Sequence, residues 1–298
     1  MKKMNEFKTY HPVVNFTYFV FVIGFTMFFM HPLCLVISLL CAFSYLLMLK
    51  KFTTMKTNII YIVQMMILMA LINPAFNHRG VTVIFYLPGG NPITMESIFY
   101  GLATSLMIVS VICHFLCYNE VVTSDKFIYL FGKTAPSLSL ILSMTLRFVP
   151  EFISRLKKVA DAHRCMGKDM SSGGVIKRIK CALSVLSVTV TCALENTIET
   201  ADSMKSRGYG LRGRTAFSIF VFDKRDMLAL ICIIALGIYT FFGYVAGGMD
   251  FSYFPEITYN SASLFSISVF AAYFFLCAMP VMIEIREVIR WRCIKSKI

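Results

Sequence analysis

The run Ala201-Asp202-Ser203-Met204-Lys205-Ser206-Arg207-Gly208-Tyr209-Gly210 closes a long helical pattern in a chain that is otherwise mostly apolar. Lys205 and Arg207 stand at the end of that pattern. Gly208 and Gly210 follow, residues that readily take the left-handed conformation that stops a helix. Two readings are open at this point. Cations at a helix C-terminus offset the negative end of its dipole, so the pair can be a plain cap. The same arrangement can also present a cationic tip to a partner.

The surroundings of that stretch set the class of protein. Of 298 residues, 57% are hydrophobic and only 15% charged, and the mean hydropathy is +0.71, too apolar for an ordinary soluble domain. A transmembrane helix needs about 20 largely uncharged residues. Six runs read that way, over residues 13–29, 32–49, 58–72, 97–117, 227–246 and 261–283. With the N-terminus inside, the inside pieces carry 28 of the 29 Lys and Arg, and only Arg79 lies outside. This is the positive-inside pattern. The net charge of +13 is therefore mainly a topology signal and not a nucleic-acid footprint. It predicts a multi-pass protein of the cell membrane with both termini in the cytoplasm. The opening Met1-Lys2-Lys3 and apolar run lack a small-residue cleavage site and read as an uncleaved first span. The ten cysteines form no Cys-x-x-Cys pair. They read as small buried hydrophobes rather than a disulfide framework or a zinc site.

Residues 1–117 thus read as N-terminal transmembrane helices, 118–226 as a cytoplasmic helical domain, and 227–298 as C-terminal transmembrane helices and a tail. Within the middle segment one helix is expected from about Ser137 to Met166, with a kink at Pro150. Ser171-Ser172-Gly173-Gly174 forms a joint, and a second helix runs from about Val175 to Arg207. The second helix has an uncharged middle at 181–194, too short for comfortable spanning and suited to burial against other helices. Glu195 and Glu199, one turn apart, can pair with cations of the same helix or a neighbour. Span six is expected to end at Pro280, with a separate interfacial helix carrying Trp291 after it. In the outer loop, Thr94 and Ser97 cap span four with Glu96 in its first turn. His78 and Glu96, separated by turns, read as a loop residue and a cap rather than a metal pair.

Motifs for chemistry are missing. The chain has no P-loop, no Gly-x-Gly-x-x-Gly and no His-Glu-x-x-His. The spans are almost free of ionisable side chains, which a proton or ion pathway normally needs. No catalytic residue and no metal site is assigned. A coupling or scaffold role fits better than an enzyme, although a membrane enzyme acting on a phosphorylated lipid and a scaffold unrelated to transport stay as alternatives.

The run 201–210, with Gly213, Arg214 and Thr215 after it, resembles the signature of the transmembrane T-component of energy-coupling-factor (ECF) ABC transporters, the CbiQ/EcfT family. Arg147-Phe148-Val149-Pro150 resembles a stretch on that family's first coupling helix. Asn73-Pro74 with Phe76 and Gly80, and Thr94 with Glu96, resemble its outer-loop elements. The resemblance implies an all-α polytopic membrane protein, about six transmembrane helices with a cytoplasmic domain of long coupling helices. It implies two coupling tips, Ser206-Arg207-Gly208 and Cys165-Met166-Gly167. The second of these has Met166 where the family has arginine, with Arg164 or Lys168 as substitutes. It further implies two ABC ATPase subunits that bind the ATP and Mg, no cofactor in this chain, and a small substrate-binding S-component for a vitamin or transition-metal ion. Arg147, Pro150, Glu195 and Glu199 would serve the S-component surface or helix packing. The bilayer is the remaining partner, and no nucleic acid is expected.

Overall fold

The computed structural model describes residues 5–49, 52–86, 92–132, 135–167, 174–209, 220–259 and 263–295, without the side chains of 52–58, 136, 137 and 259. In chain order the elements are α1 (Glu6–Thr9), α2 (Pro12–Phe28), α3 (Pro32–Leu49), α4 (Phe52–Phe76), β1 (Val83–Tyr86), β2 (Pro92–Thr94), α5 (Met95–Val121) and α6 (Ser124–Gly132). They continue as α7 (Pro136–Cys165), α8 (Val175–Ser206), α9 (Lys224–Val245), β3 (Phe251–Ser252), β4 (Thr258–Tyr259) and α10 (Leu264–Lys295). The chain divides into two compact units, one of residues 1–126 with 220–298, the other of residues 127–219. The protein is an all-α polytopic membrane protein; among the described residues its strands form two small antiparallel pairs.

In the first unit, α3 packs on α5 and α10, α9 on α10, α2 on α5 and α9, and α4 on α5. Phe7, Tyr18, Phe19, Phe29, Leu46 and Leu276 fill the centre. The bundle also encloses hydroxyls, which in a bilayer must find partners inside the protein. Thr26 Oγ1 lies 2.8 Å from Ser38 Oγ and 3.3 Å from the Tyr273 hydroxyl, and Ser38 Oγ lies 2.8 Å from Ser110 Oγ. Four helices are thereby joined through one polar chain. The Tyr18 hydroxyl donates to the Cys277 carbonyl at 3.0 Å.

Among the described residues six helices are long and apolar enough to cross a membrane: α3, the 59–76 part of α4, α5, α8, α9 and α10. The six runs predicted from sequence correspond to α2, α3, α4, α5, α9 and α10, so the lists differ at two places. Helix α2 is apolar but has 17 residues, and α8 qualifies by composition. Its expected burial against other helices is not met within this chain. Only 11% of its most apolar window is buried, with Val185 and Thr189 its fully buried positions.

A second correction concerns α10. It runs through Pro280 without a break, so no separate interfacial helix follows span six. Proline removes one backbone donor, but the residues beyond it are good helix formers. The Glu284 carboxylate, buried just past the proline, also accepts the Phe7 N–H at 3.2 Å and fixes the continuation. The cysteine reading holds for Cys34, Cys41, Cys113, Cys117 and Cys277, which are buried; Cys165, Cys232 and Cys293 are exposed, and all ten are free thiols.

One anchor was not foreseen. Lys126, at the start of α6, is buried and donates from Nζ to the carbonyls of Lys8 (2.5 Å) and Tyr10 (3.3 Å). With its amide turned so that both ends pair, Asn15 donates to the Phe7 carbonyl (3.0 Å) and accepts from Lys126 Nζ (2.5 Å). Arg225 on α9 stacks its guanidinium 4.2 Å from the Tyr10 ring centre and lies 3.7 Å from Glu6. The short α1 is thereby tied to α2, α6, α9 and α10. Burial pushes the Lys126 ammonium down to about 8; Lys8 adds to that shift and Asp226 opposes it.

In the second unit α7 and α8 pack on each other. Helix α7 begins with Pro136 at its first position, where the missing N–H costs nothing. It continues as one helix through Pro150. At 30 residues α7 is about 45 Å long. The Glu151–Arg155 pair (2.7 Å) spans the turn after the proline.

Candidate functional site

The C-terminal tips of α7 and α8 share one backbone. Helix α8 ends at Arg207, with φ −81° and ψ 9°, followed by Gly208 at φ +73°. The Gly208 N–H donates to Lys205 O (3.0 Å), and the Tyr209 N–H to Met204 O (3.0 Å). These two bonds form a Schellman closure, which satisfies carbonyls that the helix end leaves open. Helix α7 ends at Met166, with φ −81° and ψ 10°, followed by Gly167 at φ +75°. The Gly167 N–H donates to Arg164 O at 3.0 Å, the equivalent bond. The glycines are required because any residue with a Cβ resists positive φ.

Superimposing the closures aligns Cys165-Met166-Gly167 with Ser206-Arg207-Gly208, and Ala160-Asp161 with Ala201-Asp202. Met166 therefore occupies the backbone position of Arg207. Both side chains are exposed, Met166 at 63%. The Arg207 guanidinium makes no hydrogen bond or ion pair among the described residues, and Ser206 Oγ turns back to the Ser203 carbonyl (2.9 Å). Arg207 caps its helix through its backbone alone, and its charge is held out to solvent. Arg164 is exposed two residues before Met166 on α7. His163 beside it is buried, with Nδ1 unpartnered. Lys168, Gly210, Gly213, Arg214, Thr215 and the joint at 171–173 lie outside the described residues.

The remaining predicted positions sit away from the tips. Arg147 and Pro150 are exposed on the first half of α7, Arg147 about 28 Å along the helix from Met166. Glu195 and Glu199 are exposed on α8, and neither forms the expected ion pair among the described residues. Around them both helices expose apolar side chains. Leu138, Ile141, Val149 and Ile153 stand out on α7, and Leu183, Leu194 and Ile198 on α8. A face so apolar with so little packed on it needs a bilayer or a partner.

At the opposite loops, Thr94 caps α5 by accepting from the Ser97 N–H (3.4 Å), as expected, and donates to the Arg79 carbonyl (2.7 Å). The Glu96 carboxylate accepts from the Thr82 N–H (3.1 Å) and hydroxyl. His78 instead faces the Pro92 carbonyl (3.2 Å). Asn73 on α4 donates to Thr104 Oγ1 on α5 (3.3 Å). These contacts are scaffolding. Among the described residues no group of three or more His, Cys, Asp or Glu side chains is placed to hold a metal. Sequence reasoning missed α6 and its Lys126. The Phe127–Phe131 spacing of four residues was the available signal for that helix; nothing local marks the lysine as buried.

The comparisons with known proteins fit this geometry. The CbiQ family, described as cobalt transport protein, matches residues 4–219. A relative from Lactobacillus helveticus, named energy-coupling factor transporter transmembrane protein EcfT, is 34% identical over 108 residues, 36% of this chain and 39% of its own length. Proteins of the same name from Bacillus subtilis and Staphylococcus aureus are 32% identical (35% of this chain, 40% of theirs) and 29% identical (53% and 66%). The matched region spans about two-fifths of the length of most of these curated relatives. Matched over well more than half of its residues, the chain belongs to the CbiQ family.

Proposed function

We propose that the chain is the transmembrane T subunit of an ECF-type ABC importer. It links ATP binding and hydrolysis in two partner ATPases to uptake through a small S-component that carries a vitamin or a transition-metal ion. The reading rests above all on one observation: two successive long helices end in the same glycine-closed backbone, and one of them holds out an arginine with no partner among the described residues. A free guanidinium on a rigid tip suits a carboxylate in an ATPase groove, where it forms a charge-assisted, bidentate contact. Met166 at the matching position offers an apolar contact instead, so the two tips are unequal. Closure of the ATPases on ATP moves the tips, and α7 and α8 carry the motion to the S-component on their exposed apolar faces, near Arg147, Pro150, Glu195 and Glu199.

Both termini and the α7–α8 unit lie on the cytoplasmic side in this reading. Basic residues flank α8 at both ends, Lys177, Arg178 and Lys180 at its start and Lys205 and Arg207 at its finish. A crossing would export one cluster against the positive-inside bias. ATP and Mg belong to the partners; this chain contributes no catalysis. Co-expression with the two ATPases and the S-component tests the proposal. A stable complex with ATP-dependent uptake is expected, and ATPases that never co-purify would end it.

A further inference from the structure

Helix α10 carries a stripe that the coupling reading does not use. Phe275, Met279, Met282 and Ile283, then Arg286 and Arg290, recur at helical spacing and so share one face. Two cavities lie along it. The first, of ≈ 480 Å³, is apolar and walled by Leu236 of α9 with Phe275, Met279, Met282 and Ile283. The second, of ≈ 390 Å³, is lined by Glu6, Tyr10, Arg225, Arg286, Glu287 and Arg290. They adjoin each other, with Ile283 and Arg286 bordering both.

The charges are unevenly used. Arg225 lies 3.7 Å from Glu6, and Arg290 lies 4.0 Å from Glu287. Arg286 is exposed and makes no ion pair or hydrogen bond among the described residues. Arg225 also lies 3.9 Å from Asp226, so of the three arginines lining the cavity Arg286 is the one without a carboxylate partner among the described residues, and its guanidinium is suited to phosphate oxygens. From Phe275 to Arg286 the helix rises about 16 Å, close to half of the roughly 30 Å hydrocarbon core. A groove one leaflet deep that ends at an unpaired arginine matches an acyl chain joined to an anionic head. A free phosphate would leave the groove empty.

We infer that the α9–α10 groove with Arg286 is a binding site for an anionic glycerophospholipid. Its phosphate sits against Arg286 and Arg290 beside Tyr10, and one acyl chain lies along Met279 and Phe275. The site lies at the basic end of the bundle and uses neither coupling tip, so its failure would leave the proposed function standing.

The test uses the full chain in neutral detergent. Lipids retained or added are counted by native mass spectrometry, and thermal midpoints are followed in parallel. The probes are phosphatidylglycerol, phosphatidylcholine with the same chains, and inorganic phosphate. Both lipids carry the phosphate, but phosphatidylcholine also brings a choline cation up to Arg225, Arg286 and Arg290, so phosphatidylglycerol is expected to bind roughly tenfold or more tightly and to raise the midpoint. Inorganic phosphate at the same concentration is expected to do neither. Arg286→Gln should bring phosphatidylglycerol to the phosphatidylcholine level while its lipid-free midpoint stays at the wild-type value. Arg292→Gln, an equal charge loss off the groove, should leave binding intact. Equal binding of the two lipids by the wild type, stabilisation by inorganic phosphate alone, or equal losses in the two variants would each overturn the site. The two-lipid comparison on the wild type keeps the test decisive if a variant fails to fold.

Discussion

Replacing Gly167 by alanine isolates the tip backbone from every other effect. A Cβ added there meets nothing within 4 Å, while φ is +75°. The penalty is then the left-handed conformation itself, about 1–2 kcal/mol for an L-residue. Opening the last turn relieves that strain and releases the Met166 N–H from Ala162 O and the Gly167 N–H from Arg164 O. Such opening is local, so the global melting midpoint should stay put while these two amides exchange faster. At about tenfold per 1.4 kcal/mol, the expected acceleration is roughly 5–30-fold. Hydrogen exchange read by mass spectrometry on the full chain in micelles measures it. Gly167→Asn should accelerate exchange less, since asparagine tolerates positive φ better. Gly208→Ala should repeat the effect at α8, where φ is +73°. Wild-type exchange rates in both alanine variants, or asparagine as disruptive as alanine, would refute the claim that positive φ sets these tips.

Met166→Arg places a guanidinium on the backbone that Arg207 already uses. It should be tolerated and should tighten ATPase binding, up to about tenfold for one added charge-assisted bond, as read by titration of the purified ATPase pair; a complete loss of assembly would show that Met166 is not at the contact. Lys126 gives a pH signature. Its folded-state value is lowered to about 8, so between about 8 and the usual lysine value the unfolded chain holds the extra proton, and wild-type stability should rise with pH there. Lys126→Met should lack that rise when thermal midpoints are compared across the window; parallel curves would remove the buried ammonium from the account.

The parts legible in the sequence were those set by local chemistry. Uncharged runs marked the helices of the first unit to within a few residues, except that α4 and α10 extend well beyond their apolar cores. Glycine after a basic helical segment locates both tips: the expected ends Met166 and Arg207 are the C-caps of α7 and α8, one residue past their last helical residues Cys165 and Ser206. Thr94 and Ser97 foretold the α5 cap because their roles need only each other. What failed depended on distant partners. Pro280 looks like a stop signal in isolation; Glu284 reaching the Phe7 backbone keeps the helix going. Lys126 reads as one more cytoplasmic cation until Lys8, Tyr10 and Asn15 surround it. The exposed middle of α8 was taken as buried because small uncharged residues suit either setting. Only the tertiary arrangement shows that this chain leaves it uncovered.

The most direct test of the coupling account is Arg207→Glu in the assembled transporter. The guanidinium supports nothing within the described chain, so insertion and thermal stability should match the wild type. Co-purification of the ATPases and ATP-driven uptake should both be lost, because the charge facing an acidic groove is reversed. Uptake at the wild-type rate with ATPases still bound would contradict the account and leave Arg207 as a helix cap alone.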